Sequence, residues 1–382
     1  MSAKWEVQVI RPKGRNLVTR VLEVITNGEA GGAQRHVADL ARGLSDRGDE
    51  VWVAHGGGHW LDAQSGLRTV YVPELVPPIA PPRDVRAFWR LLAVIRVLRP
   101  DVVHAHSSKA GLLARWASRW ERVPAVFTAH GYVFLDPTRP AWERSLYRLL
   151  EGWAARASSA VIGVSRRDAE AARGLGAQRA TYIANGVRVG PDRWRRPTGD
   201  VLRVGFIGRF SREKGFDVLL DALTAIDPRP ELVVAGSGPM ESAWRKRASD
   251  LRLVVRFVGW QEPVTRFLTD LHALAIPSWK EGLPYVLLDA LAFGVPTVVT
   301  DVGGMGETVG SLDPALVVPP GDPPALARAI DYALQLGDSF ADRARELMQR
   351  SYNLDTMVNQ TRRVLTEAAG DGAVPRGRRE AP

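Results

Sequence analysis

The stretch IPSWKEGLPYVLLDALAFGVPTVVTDVGGMGETVG, residues 276–310, decides the fold, because it contains a strand end, a loop, a helix and a second apolar strand. Pro284 suits the first turn of the helix and Gly294 its end. Glu281 lies in the loop and Asp289 inside the helix. Since the first amides of a helix lack intrahelical acceptors, an anion site adjoins a carboxylate here. This pair predicts a ligand that is both polyhydroxylated and phosphorylated, such as a nucleotide sugar.

Short apolar runs alternate with amphipathic helical stretches on both sides of this segment. Near-continuously apolar strands separated by helices indicate parallel sheets that are covered on both faces. The sequence therefore predicts an α/β protein with two Rossmann-like domains and a ligand cleft at the carboxyl ends of both sheets. The predicted strands are 17–25, 50–54, 67–72, 101–105, 124–129, 160–164, 180–184, 202–207, 231–235, 253–258, 271–276, 296–300 and 315–318.

The expected domain boundary lies in NGVRVGPDRWRRPTGD, residues 185–200, which is rich in Gly and Pro, charged and without periodicity. The start of the chain lacks the apolar centre of a signal peptide and is interpreted as a leader. The last residues have the composition of a disordered tail. The expected division is a leader 1–16, a first domain 17–186 for the acceptor, a linker 187–200, a second domain 201–350 for the nucleotide sugar, and a tail 368–382.

The charge is unevenly distributed: the chain has a net charge of +9, with +12 in residues 1–196 and −3 in residues 197–382. Two predicted helices of the first half, 86–99 and 112–123, are rich in Arg and Trp. An anionic membrane surface fits this composition, whereas sheet-covering helices with solvated Arg are the alternative. Nucleic acid fits less well, because no recognition module is visible. With no cysteine and no membrane-spanning apolar run, we expect a cytoplasmic protein, peripheral on the inner face of the plasma membrane.

GFIGRFSREKGFDVLLDAL, residues 205–223, opens the second domain with a strand, a turn and a helix. Gly208 ends the strand, and Arg209 and Lys214 flank the turn. Two cations at the carboxyl end of a parallel strand could neutralise a diphosphate leaving group without a metal ion. A solvated basic turn is the alternative.

Two further strand exits of the second domain carry candidate nucleotide contacts. Gly236 and Gly238 in AGSGP are expected to border the nucleotide, because glycine lets backbone approach a ligand closely. Val258 in RFVGWQEP lies where contacts to the base are expected.

In the first domain, GEAGGAQRHV, residues 28–37, places Gly31 and Gly32 between a strand and a helix. Their amides could approach a phosphate, although a tight turn explains them equally well. The segment is not a G-x-G-x-x-G fingerprint, so nicotinamide binding is weakly supported. His130, at the end of the strand in FTAHGY, is expected to contact a reacting sugar in the cleft.

HAHSSKAGLLAR, residues 104–115, combines a strand end with a helix start. His106 and the turn after it are expected to hold an acceptor phosphate, although a capped helix start explains the serines almost as well. A metal site would use His104, His106 and His130, but no carboxylate cluster accompanies them, so no metal is predicted. The candidate acceptor residues are His106, Ser107, Ser108 and Lys109.

From about residue 17 to 367 the chain resembles the retaining glycosyltransferases of family 4, which have the GT-B fold. The resemblance rests on GGAQRHV, HGY, VSRRDAEAA, IANGV, GFIGRFSREKG, VAGSGP, RFVGW and PSWKEGLPYVLLDALAFGVPTVVTDVGG. It implies that Glu281 holds the sugar hydroxyls, that His130 contacts the sugar and that Gly32 closes over the diphosphate. That diphosphate would be bound by Arg209 and Lys214, with Gly282, Leu283 and Pro284 beside it. Asp289 would bind the ribose, and it stands where the family usually has Glu.

The resemblance further implies transfer from a UDP- or GDP-sugar to a lipid-linked sugar or glycan of the cell envelope. Transfer would retain the anomeric configuration by front-face displacement, without a cofactor or divalent metal. A last helix, 351–367, would cross back onto the first domain. Two alternatives stay open: a nucleotide-sugar epimerase of the same fold, and a catalytically silent protein that only binds nucleotide or lipid.

Overall fold

The computed structural model describes residues 18–77 and 79–371, and its two parallel sheets confirm the predicted Rossmann-like domains. The first sheet has the strand order β3-β2-β1-β4-β5-β6-β7, and the second has the order β10-β9-β8-β11-β12-β13. The strands are β1 Arg20–Ile25, β2 Glu50–His55, β3 Thr69–Tyr71, β4 Val102–His106, β5 Ala125–Ala129, β6 Ala160–Gly163, β7 Ala180–Tyr182, β8 Arg203–Ile207, β9 Glu231–Ala235, β10 Val255–Gly259, β11 Ala273–Ile276, β12 Thr297–Thr300 and β13 Val317–Val318.

Helices follow most of the strands, as the alternation predicts. Because connections between parallel strands must cross over the sheet, they cover both of its faces. The helices are α1 Gly32–Ser45, α2 Pro81–Leu98, α3 Ser108–Trp120, α4 Ala141–Arg156, α5 Arg166–Gly174, α6 Phe216–Leu223, α7 Glu241–Asp250, α8 Val264–Leu268, α9 Tyr285–Phe293, α10 Met305–Gly310, α11 Pro323–Ala333, α12 Asp338–Ser351 and α13 Leu354–Asp371.

The first sheet separates two apolar clusters, because successive strand residues point to opposite faces. In β1, Leu22 and Val24 pack with helices α2, α3 and α4, whereas Val21 and Ile25 pack with α1 and α13. The second domain has one larger core around β8 to β12. Among the residues described, no helix has the length and apolar composition that a bilayer crossing requires.

Helix α13 completes the core of the first domain. Its residues Leu365 and Ala368 are buried in that core, and Val358 packs on Gly43 of α1. The predicted start of the tail at residue 368 is therefore wrong, because residues 368–371 belong to α13 and Ala368 is buried. The leader 1–16 and tail residues 372–382 lie outside the described residues.

Residues 187–200, the predicted linker, pack against the rest of the protein. Val187 forms a backbone bridge with Asn353, just before α13. Trp194 is buried in the core of the second domain, where its indole Nε1 donates to Leu271 O at 2.8 Å. The segment is thus attached to the second domain, which the charge and Gly/Pro content did not reveal.

Candidate active site

Lys214 and Glu281 meet at the carboxyl end of the second sheet, because they follow the neighbouring strands β8 and β11. Lys214 Nζ lies 2.5 Å from Glu281 Oε1, and Ser278 Oγ donates to the same oxygen at 2.9 Å. The other oxygen, Oε2, has no hydrogen-bond partner among the described residues. Arg209 is exposed and has no ion-pair partner in the described part of the chain. The site thus offers one free carboxylate oxygen and one unpaired cation.

Helix α9 carries the second acid of the opening segment. Pro284 precedes the helix as its N-cap, and Gly294 ends it with a φ of +108°. Asp289 forms an ion pair with Arg35 of α1 in the first domain. The Arg35 guanidinium also lies 4.7 Å from the ring centroid of Tyr285. A ribose that binds Asp289 must therefore share this carboxylate with Arg35 or displace it.

Glycines bring the two domains into backbone contact. Gly131 follows His130 with a φ of +89°, and a Cβ on it would lie 2.8 Å from Gly282 N. A Cβ on Gly282 would lie 2.8 Å from the carbonyl carbon of His130. The loop after β5 therefore touches the loop after β11, which places His130 next to Glu281 across the domain boundary.

The glycines predicted to border the nucleotide have a packing role in the structure. Gly236 and Gly238 have φ values of +126° and +156°. A Cβ on Gly236 would lie 1.9 Å from Gly208 O, and one on Gly238 would lie 2.6 Å from Phe210 O. These glycines let the loop after β9 pack on the loop after β8, so loop packing alone requires glycine there.

Gly31, Gly32 and Val258 lie at strand exits, as predicted. Gly32 begins α1, and a Cβ on it would lie 3.9 Å from Tyr285 Cδ2, so α1 starts opposite α9. Gly31 is the extended N-cap residue of α1, with a φ of 177°. Val258 lies in β10, and its carbonyl accepts from Gln261 Nε2 at 2.8 Å.

The first sheet holds a buried polar cluster that sequence reasoning missed. Glu23 of β1 contacts two histidines of β4: its Oε2 lies 3.0 Å from His104 Nδ1 and 2.7 Å from His106 Nε2. His104 Nε2 lies 2.7 Å from Thr128 Oγ1, and His106 Nδ1 lies 3.1 Å from His130 Nε2. Glu23, His104 and His106 are fully buried.

His36 of α1 completes the cluster and joins it to the second domain. Asn185 Nδ2 donates to Leu283 O at 2.6 Å, so Asn185 Oδ1 accepts from His36 Nδ1 at 2.9 Å. The rings of His36 and His130 are 4.7 Å apart in an edge-on arrangement. The remaining nitrogen of His36, Nε2, is buried and has no hydrogen-bond partner among the residues that the structure describes.

The cluster is held mainly in neutral form. Burial, together with the neighbouring His104, lowers the pKa of His36 to about 4. Burial also holds the pKa of His106 and the pKa of His130 well below the ordinary histidine value, with the other histidines adding to the effect. Neutral imidazoles can accept as well as donate hydrogen bonds, so their tautomers decide the chemistry of the site.

The prediction of no metal rested on the absence of a carboxylate near the histidines, and this reason is wrong, because Glu23 lies beside His104 and His106. The ligand atoms of Glu23, His104 and His106 lie within 4.8 Å of one another, as do those of His36, His106 and His130. Among the ring nitrogens and carboxylate oxygens of these residues, only His36 Nε2 and His130 Nδ1 have no hydrogen-bond partner within the described part of the chain.

The predicted acceptor cradle is corrected at three positions. His106 is buried, with both ring nitrogens bonded inside the protein. The hydroxyl of Ser107 bonds to Thr26 Oγ1 at 2.6 Å, and Lys109 Nζ bonds to Val76 O at 2.8 Å. The cap of α3 comes from Thr26, whose hydroxyl accepts from the amide of Ala110. These side chains support the fold, and Ser108 begins α3 beside them.

Two family profiles match the chain, one on each domain. "Glycosyltransferase Family 4" matches residues 30–190, and "Glycosyl transferases group 1" matches residues 202–335.

Relatives cover most of the chain. It is 30% identical to the 2-deoxystreptamine N-acetyl-D-glucosaminyltransferase of Streptomyces fradiae, across 90% of this chain and 93% of that protein. It is 28% identical to TuaC of Bacillus subtilis, named as a teichuronic acid biosynthesis glycosyltransferase, across 62% of this chain; it spans only 61% of TuaC. It is 26% identical to the UDP-Gal:alpha-D-GlcNAc-diphosphoundecaprenol alpha-1,3-galactosyltransferase of Escherichia coli, across 62% of this chain and 67% of that enzyme.

A solved structure shares the fold. Anabaena HepE (Alr3699), crystallised with UDP and glucose, superposes with a TM-score of 0.75 at 20% identity, across 91% of this chain and 100% of that chain. The likeness extends over both domains.

Proposed function

This chain belongs to glycosyltransferase family 4 and has the GT-B fold, and we propose that it moves a hexosyl or N-acetylhexosaminyl group from a UDP- or GDP-sugar to a lipid-linked sugar or glycan of the cell envelope, with retention of configuration. The observation that carries the proposal is the 2.5 Å contact of Lys214 with Glu281, at the sheet edge where Arg209 also follows β8, exposed and without an ion-pair partner among the described residues. The E. coli relative, which is named for a diphosphoundecaprenol-linked acceptor, supports the choice of acceptor.

The proposed chemistry follows from the charges at this point. The bond between the anomeric carbon and the diphosphate breaks, and negative charge grows on the leaving group. Arg209 and Lys214 stabilise that charge. The acceptor hydroxyl oxygen bonds to the same face of the anomeric carbon, and the departing phosphate oxygen takes its proton. Glu281 Oε2 accepts hydrogen bonds from sugar hydroxyls, because Oε1 is already bonded to Lys214 and Ser278.

We further propose that turnover needs neither cofactor nor divalent metal, because protein cations fill the role that a metal would have. A panel of UDP- and GDP-sugars tests both points, with release of nucleoside diphosphate as the readout and EDTA in parallel. Release that survives EDTA supports the proposal, and a requirement for added metal contradicts it. An isomerised nucleotide sugar would instead identify an epimerase, and binding without turnover a catalytically silent protein.

A lipid-linked acceptor requires access to a membrane, and the first domain has a suitable surface. We define the tryptophan face as the exposed apolar side chains of α2, α3 and α4. On α4, Trp142, Leu146, Leu149 and Trp153 recur at helical spacing and are between 39% and 70% exposed. On α2 and α3, the rings of Trp89 and Trp120 lie 6.2 Å apart. Trp116 brings the face to five of the twelve tryptophans of the chain.

We propose an anionic lipid surface as the occupant of the tryptophan face. Indoles favour the headgroup level of a bilayer, and guanidiniums pair with lipid phosphates. Exposed arginines lie on the same three helices and just after two of them, and the half of the chain that contains them has a net charge of +12. The exposed arginines of this region are Arg83, Arg86, Arg90, Arg96, Arg99, Arg119, Arg122 and Arg148.

Sedimentation with vesicles tests the surface. Vesicles that contain phosphatidylglycerol should bind the protein, and phosphatidylcholine vesicles should bind it much less. Replacing Trp142 and Trp153 by Ser should weaken binding about tenfold or more, because two indoles leave the interface. Trp260→Ser, at a tryptophan of the second domain that is 58% exposed, is the matched control and should bind as wild type. Equal loss in both variants would contradict the assignment.

A further inference from the structure

Five polar side chains form a line across the first sheet, and the chemistry proposed above assigns no role to any of them. They are Glu23, His104, His106, Thr128 and His130. The strand register places Glu23 opposite His104 and His106 opposite Thr128, on the face that packs under α1. Buried polar groups are stable only when they are hydrogen-bonded, so this line must have a defined pattern of donors and acceptors.

The pattern of donors follows from Glu23. An ionised carboxylate only accepts hydrogen bonds, so His106 Nε2, 2.7 Å away, must carry a proton and donate a hydrogen bond to Glu23. His106 is neutral, because burial holds its pKa well below the ordinary value. Its Nδ1 therefore carries a lone pair, and His130 Nε2 must donate to it across 3.1 Å. The tautomer of His130 is thereby fixed from inside the sheet.

The second ring nitrogen of His130, Nδ1, is left as a hydrogen-bond acceptor. His130 is half-buried, and its Nδ1 has no hydrogen-bond partner within the described part of the chain. The following residue, Gly131, touches Gly282 at the domain boundary, next to Glu281. An acceptor nitrogen and an acceptor carboxylate oxygen thus lie on opposite sides of one cleft, where a sugar with several hydroxyls can donate to both.

We propose that Glu23 is a positioning residue for sugar transfer: through His106 it holds His130 as the tautomer whose Nδ1 accepts a hydrogen bond from one hydroxyl of the donor sugar. The inference rests on the proposed function, because it assumes that a nucleotide sugar occupies the cleft. It assigns roles to Glu23 and His106 that differ from the acceptor contact expected of His106.

The tautomer can be measured without substrate. In protein labelled with ¹⁵N-histidine, the ring shifts of His130 should show a protonated Nε2 and an unprotonated Nδ1, with His130→Gln used for assignment. Glu23→Gln places an amide donor in the network and should populate the other tautomer. A protonated Nδ1 in the wild type would overturn the proposal. So would a stoichiometric zinc ion bound to the purified protein, because a metal on Nε2 would replace the bond to His106.

The functional consequence is a coupling between Glu23 and one sugar hydroxyl. Among monodeoxy donors, loss of the contacted hydroxyl should lower kcat/KM about fivefold in the wild type, as expected for one hydrogen bond. The penalty should fall below about twofold in Glu23→Gln and in His106→Phe, since either change removes the fixed acceptor. Thr128→Val is the matched control. It removes the hydrogen bond between Thr128 and His104 in the same cluster, but it leaves intact the two hydrogen bonds that link Glu23 through His106 to His130.

These readouts separate a positioning role from a structural one. Equal penalties in all four proteins would overturn the proposal, even if Glu23→Gln were slow or unstable. If the wild type turned over no nucleotide sugar, the proposed function would fail, and the ¹⁵N shifts would still decide whether Glu23 fixes the tautomer.

Discussion

Adding one methyl group at the domain boundary, by Gly282→Ala, should disable the enzyme without unfolding either domain. A Cβ at this position would lie 2.7 Å from Val164 Cγ2, 2.8 Å from the carbonyl carbon of His130 and 2.9 Å from Gly131 N. Ordinary carbon contacts are about 3.5 Å, so the two loops must separate by about 0.7 Å. That shift moves His130 away from Glu281.

The expected fall in kcat follows from how steeply the rate of a reaction depends on the positions of the reacting and catalytic groups. A displacement of about 1 Å can cost about 100-fold in rate, so we expect kcat for nucleotide release to fall between tenfold and 100-fold. Overpacking should also lower the free energy of unfolding by about 1–3 kcal/mol, which leaves the protein folded. Steady-state kinetics with the best donor, together with denaturant unfolding, measures both effects.

Gly174→Ala is the matched control, because a Cβ there would meet nothing within 4 Å. This variant should keep full activity. Near-normal turnover in Gly282→Ala would show that the loops after β5 and β11 need not touch during catalysis, and the proposed site across the boundary would be refuted.

Acidification should destabilise the protein through His36, because its pKa is about 4 in the folded protein and lies below the ordinary histidine value of about 6.5. The stabilisation that neutral His36 gives the folded state is complete above about pH 6.5 and is lost as the pH falls towards 4. Between pH 7 and pH 5 the free energy of unfolding, measured with urea, should fall by about 2 kcal/mol more in the wild type than in His36→Gln. An equal fall in both proteins would contradict this. Arg35→Ala should free Asp289 and tighten the binding of UDP or GDP about fivefold in calorimetry, as loss of a competing ion pair worth about 1 kcal/mol implies. Unchanged or weaker binding would show that Arg35 does not compete for this carboxylate. Glu151→Ala should cost about 3–5 kcal/mol in denaturant unfolding, because it leaves the buried Arg115 without its ion-pair partner 2.8 Å away; a loss below about 1 kcal/mol would contradict this.

The fold was predictable because it depends on periodicity, which sequence displays directly. Apolar strands alternate with amphipathic helices, and the thirteen predicted strands all occur close to their expected bounds. The meeting of Lys214 with Glu281 was predictable for the same reason, since both residues leave parallel strands of one sheet at the same edge.

Contacts that depend on register were not predictable. Glu23 and His104 are 81 positions apart, and their contact arises only because β1 pairs with β4 in one register. A charged residue inside the apolar strand RVLEVI was the available signal, because a buried carboxylate needs partners. Arg35 and Asp289 are 254 positions apart and lie in different domains, so no local pattern could pair them.

The anomeric configuration of the first product tests the central claim most directly. During slow hydrolysis of an α-linked nucleotide sugar, ¹H NMR recorded before mutarotation should show the α-sugar appearing first, and Glu281→Gln should abolish its formation. Initial release of the β-sugar would contradict the same-face displacement that Arg209, Lys214 and Glu281 are proposed to support.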